Sequence, residues 1–74
     1  LTKITFARNA MMSQATLTDP DGGRAFVFCS IPGGRPWFTL DPNSQMSTPV
    51  SDAPSCDTDR EFRAFVRKRF ADAA

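Results

Sequence analysis

The chain has 74 residues, 41% of them hydrophobic and 23% charged, with a formal net charge of +1. This length fits one domain, the overall composition is that of a globular and not a disordered chain, and the near-neutral charge gives no global pull toward nucleic acid or an anionic membrane. Histidine is absent, which removes the usual general base, the Ser-His and Cys-His nucleophile systems and the commonest metal ligand.

In chain order, "TKITFAR" alternates Ile4 and Phe6 with Lys3 and Thr5 and predicts a half-buried strand. Asn9–Met12 reads as one helical turn or a bulge, and Ser13–Thr18, with its Ala15/Leu17 alternation, as a second strand. "DPDGGR" (Asp19–Arg24) is the strongest turn: Pro20 suits a turn's second position, and Gly22 and Gly23 accept positive φ. It predicts a hairpin into the β-branched and aromatic strand "AFVFCSI" (Ala25–Ile31). "PGGRP" turns the chain again and "WFTL" (Trp37–Leu40) returns, with Pro36 predicting an edge position.

"DPNSQMSTPVSDAPSC" (Asp41–Cys56) has no apolar period and is long for a connection in a compact domain, so it reads either as an ordered belt around the body or as a mobile segment, with a short extended piece around Met46–Val50. "TDREFRAFVRKRF" then carries a capping box, Thr58 with Glu61. Asp57 and Asp59 sit at the positive end of the helix dipole, and Arg67, Lys68 and Arg69 at the negative end. The expected architecture is α+β: a three- to four-stranded antiparallel sheet with one C-terminal helix on one face. It is one domain over 1–74, with the sheet over about 2–40, the connection over 41–57 and the helix over about 58–72.

Taking about 100° per residue from Phe62, the residues Phe65, Val66, Phe70 and Ala73 share its apolar arc. Arg60, Arg63 and Arg67 form a stripe beside that arc, and Asp59 is spaced i,i+4 from Arg63 for a surface ion pair. Arg69, at about 340° on the same wheel, falls inside the arc. It must snorkel, pair with a carboxylate or reach a partner. In the sheet, Phe26 and Phe28 point to one face and Val27 and Cys29 to the other; Trp37 and Phe38 also divide. Both faces are therefore expected to be apolar, and one helix covers only one of them. The belt, a second copy of the chain or a protein partner must cover the other.

The remaining motifs argue against chemistry. Cys29 and Cys56 form no C-x-x-C pair and read as free thiols in a reducing cytosol, with a single strand-to-helix bridge as the alternative. "DPDGG" lacks the spaced ligands of a calcium loop, and "IPGGRP" lacks the Lys-Ser/Thr of a phosphate loop. No catalytic residue, metal ligand or cofactor is assigned. "LTKITFARNAMMSQA" has no sustained apolar stretch of the kind a secretory signal or membrane span needs, so no membrane partner is expected and the location read is cytoplasmic.

The function expected is a small non-enzymatic protein that binds another protein. Its candidate surface comprises Phe26, Phe28 and Trp37 on the second sheet face, Arg35 at a loop tip (with Asp21 at another), the Arg60, Arg63 and Arg67 stripe, and Arg69. In size, sheet-plus-helix pattern and lack of catalytic groups the chain resembles the small inhibitors carried by phages and mobile elements, anti-CRISPR proteins among them. The resemblance is one of character and carries no family motif. It implies a steric mechanism in a bacterial host cell. The alternative is a nucleic-acid-binding module that sets the helix stripe on phosphates and stacks Trp37 or Phe38 on bases. A subunit or fragment of a larger assembly is the third reading, kept open by Leu1.

Overall fold

A computed structural model describes residues 3–40, 48–50 and 53–70. It shows an antiparallel sheet in the order β1-β2-β3-β4-β5 and one C-terminal helix. The strands are β1 (Lys3–Asn9), β2 (Met12–Thr18), β3 (Arg24–Ser30), β4 (Trp37–Thr39) and β5 (Thr48–Pro49); α1 covers Asp59–Arg69. The α+β expectation holds, with five strands in place of three or four. The extra strand is the two-residue β5, which lies in the extended piece expected around Met46–Val50.

Two hairpins set the register. The Asp19–Gly23 loop joins Thr18 to its partner Arg24. The Asp19 carboxylate accepts from the backbone N–H groups of Asp21 (3.1 Å) and Gly23 (2.7 Å), an Asx turn that fixes the loop locally. The β1–β2 connection differs from both sequence readings. Asn9 pairs with Met12, so Ala10 and Met11 alone make the turn, and Ala10 takes φ 54°. That conformation is costly for a residue with a Cβ, and no Gly or Asn-Gly marks the spot in the sequence.

Pro36 does not mark the sheet edge, because β5 pairs beyond β4, with Trp37 opposite Pro49 and Phe38 opposite Thr48. The proline contributes its carbonyl instead, accepting from the Val50 N–H at 3.1 Å. The edges of the sheet are therefore β1 and β5.

The helix starts where the capping box places it. Thr58 is the N-cap, and its Oγ1 accepts from the Glu61 N–H at 3.1 Å. The Glu61 carboxylate accepts from the Asp57 N–H at 3.3 Å, one residue earlier than the reciprocal bond of a standard box. Phe62 and Val66 are fully buried, while Phe65 and Phe70 are half-buried against the same core. The helix ends earlier than expected, with Phe70 as its C-cap; Ala73 lies outside the described residues.

α1 packs across β1 and β2. The core joins Ala15 and Leu17 of β2, Val27 and Cys29 of β3, and Ile31, Cys56, Phe62 and Val66. Side chains the size of Leu17, Val27, Phe62 and Val66 each contribute about 1.5–3 kcal/mol when fully buried, so this inner face supplies much of the stability. At the far end of β3 the backbone closes tightly: Gly33 N–H donates to the Cys56 carbonyl (2.7 Å) and Cys56 N–H to the Gly34 carbonyl (2.8 Å). A Cβ on Gly34 would lie 1.7 Å from the Ser30 carbonyl oxygen, so only glycine fits there.

Candidate docking face

The period-two alternation of the strands divides the expected site residues between two sides of the sheet. Val27 and Cys29 face α1, so Phe26 and Phe28 face away from it. Phe28 pairs with Trp37 across β3 and β4, and Trp37 pairs with Pro49 across β4 and β5. The rings form a ladder: Phe26 and Phe28 stack with centroids 6.4 Å apart, and Phe28 and Trp37 with centroids 6.0 Å apart. All three are half-buried. Offset stacks of this kind are worth about 0.5–1.5 kcal/mol beyond the area they bury and hold the rings in fixed positions.

The outer face meets the expectation of an apolar surface, drawn from Phe26, Phe28 and Trp37, over only part of its extent. Over β1 and β2 it carries Thr5, Gln14, Thr16 and Thr18, because Thr16 stands opposite Phe26 and Gln14 opposite Phe28. The face is thus split into a polar half and an aromatic half, with the boundary between β2 and β3. The expected cover by the Asp41–Cys56 belt falls largely on residues 41–47 and 51–52, outside the described residues.

The helix arginines lie on the opposite side and are already engaged with the protein's own surface. Arg63 Nε binds the Asp59 carboxylate at 2.7 Å. The guanidinium carbons of Arg63 and Arg67 lie 5.1 and 4.9 Å from the centre of the Phe6 ring, which also meets Phe62 edge-on at 6.5 Å. The stripe therefore continues the core outward over β1. Arg60 is exposed, as is Arg35 in the turn before β4. Arg69 is exposed, with its guanidinium carbon 5.6 Å from the Phe70 ring centre. It borders two hollows at the end of the helix, one of about 610 Å³ beside Phe65 and Lys68 and one of about 320 Å³ beside Phe38 and Val50. A charge inside the apolar arc is thus accommodated at the end of α1, where the arc runs out of core.

Two features escaped the sequence reading. Phe6 is the ring on which two helix arginines rest, a contact signalled only by its place on an alternating strand. Ser13, fully buried, donates to the Asp59 carboxylate at 2.6 Å. That hydrogen bond, ahead of Arg63, holds the Asp59 carboxyl below its usual range. No period or motif links positions so far apart in the chain.

No protein-family model matches the sequence, and no curated protein or solved structure matches it. Among the described residues, no helix is long and apolar enough to cross a membrane.

Proposed function

We propose that the protein works by docking on another protein through the aromatic half of the outer sheet face. The observation that carries this reading is the Phe26–Phe28–Trp37 ladder on the side turned away from the helix. Half-buried, pre-stacked aromatics lose little side-chain freedom on binding and give large contact areas, which is why Trp and other aromatics concentrate at interface centres. The threonine-rich half beside them supplies a polar border.

The mechanism open to such a surface is steric. A rigid small domain occupies a patch on its target and excludes whatever the target binds there, as the small inhibitors of phages and mobile elements do. Arg35, exposed in the turn that leads into β4, supplies additional charge for partner choice. The nucleic-acid alternative is weaker on this geometry, because Arg63 is neutralised by Asp59 and both Arg63 and Arg67 are stationed over Phe6.

The test is capture of partners from a lysate of the source cell by the wild-type chain and by Trp37→Thr and Phe26→Thr. Threonine is a strong strand former and already occupies the other half of this face. A partner bound by the wild type and lost by both variants supports the reading. Undiminished capture by both overturns it.

A further inference from the structure

The two cysteines, separated by most of the connection and both outside any sequence motif, meet in the core. Cys29 closes β3 on the inner face; Cys56 precedes the helix cap. Both are free and fully buried in the same cluster as Ile31 and Phe62. The Gly34 carbonyl joins them, accepting from the Cys29 Sγ at 3.4 Å and from the Cys56 N–H at 2.8 Å. Each thiol donates to a backbone carbonyl, Cys29 Sγ to Gly34 and Cys56 Sγ to Pro54 at 3.8 Å. Gly34 itself packs closely on Ser30, where a Cβ would lie 1.7 Å from the Ser30 carbonyl oxygen.

We infer that Cys29 and Cys56 are a covalent modification site: a latent disulfide that closes when the chain folds in the presence of a small-molecule disulfide such as oxidised glutathione. The exchange is balanced. One cysteine thiolate attacks a glutathione sulfur, the glutathione S–S bond breaks, and one glutathione leaves as a thiolate that takes up a proton. The second cysteine attacks the protein sulfur of the mixed disulfide and releases the second glutathione. Two protein thiols lose two electrons and two protons, and one glutathione disulfide becomes two thiols.

The moment of closure follows from burial. In the folded chain, loss of solvation, reinforced by the neighbouring Cys56 thiol, pushes Cys29 up to about 12, and burial raises Cys56 as well. Thiolate is the attacking species, so the folded, reduced chain is nearly inert at neutral pH. The unfolded chain has ordinary, accessible thiols. The compartment in which the protein folds therefore decides its redox state, and the folded core then preserves that decision. Closure ties the end of β3 to the start of α1 across the whole β4–β5 excursion, a loop long enough for a substantial constraint on the unfolded state.

The experiment unfolds the full chain in denaturant, refolds it in a glutathione redox buffer, and reads intact mass, peptide linkage and melting temperature. The expected product is a monomer lighter by two hydrogens, with a Cys29–Cys56 linked peptide. Its Tm should exceed that of the reduced chain by about 10 °C or more. The natively folded reduced chain, given oxidised glutathione at neutral pH, should react on the order of 100-fold more slowly than the unfolded chain. Recovery of only reduced monomer, glutathione adducts or intermolecular dimers would overturn the inference, as would a linked form that melts below the reduced one. The Cys56→Ala variant should show no Tm difference between the two buffers; a difference there would assign the effect elsewhere and also overturn it.

Discussion

Ser13 Oγ donates to Asp59 Oδ1 at 2.6 Å, tying a fully buried side chain near the start of β2 to the first residue of α1. The other carboxylate oxygen holds Arg63 at 2.7 Å. One side chain thus serves as helix first-turn acid, strand anchor and ion-pair partner. Hydrogen bonds to charged groups contribute about 1.5–3 kcal/mol, and Ser13→Ala should cost an amount in that range, measured by denaturant unfolding at neutral pH.

The same carboxylate makes stability depend on acid. Asp59 is held below its ordinary value of 3.8, first by Ser13 and then by Arg63. A depressed folded-state pKa contributes stability that is fully present above the unfolded value and is lost as pH falls through the folded one. The destabilisation by Asp59→Asn should therefore be largest near pH 7 and shrink below about pH 3.8. A penalty that stays constant from neutral pH down to acid would contradict the assignment.

Gly34 and Gly22 separate two reasons for glycine. A Cβ at Gly34 meets the Ser30 backbone at 1.7 Å, whereas one at Gly22 meets nothing within 4 Å and faces only the strain of φ +87°. Gly34→Ala should cost at least about 3 kcal/mol, because the turn and both hydrogen bonds to Cys56 must shift. Gly22→Ala should cost about 1–2 kcal/mol. Thermal unfolding of the two variants should show that order.

Phe6 and Arg67 provide a direct measure of what the helix stripe does. A guanidinium 4.9 Å from the ring centre at an exposed position should give a coupling of about 0.5–1 kcal/mol in a double-mutant cycle of Phe6→Leu and Arg67→Met. Zero coupling would release Arg67 from a structural role and strengthen a phosphate-binding one.

The sequence reading succeeded where local rules act. Thr58 and Glu61 mark the helix start because capping is settled within one turn, and Pro20 with Gly22 and Gly23 marks a hairpin because a tight turn needs only its own residues. It missed the Ala10–Met11 turn because the strand pairing on either side imposes φ 54° on an alanine that would not choose it. It placed Pro36 at an edge because a two-residue strand such as β5 leaves no period to read. It overstated the apolar outer face because Phe26 and Phe28 show nothing of their neighbours; the register that sets them against Thr16 and Gln14 is a tertiary fact. Of the candidate site, the ladder Phe26–Phe28–Trp37 followed from alternation, but the engagement of Arg63 and Arg67 with Phe6 did not.

The central claim is that the aromatic half of the outer face binds a protein partner and the helix stripe does not bind nucleic acid. It is tested most directly by quantitative capture from a source-cell lysate with three folded variants: Trp37→Thr, Phe26→Thr and Arg60→Glu. Circular dichroism and Tm confirm each fold. The account predicts a protein captured by wild type and by Arg60→Glu, reduced by about tenfold or more in both ladder variants, with at most a shallow dependence on salt. Capture unchanged by the ladder substitutions but abolished by Arg60→Glu, or bound DNA or RNA released steeply as salt rises, would contradict it.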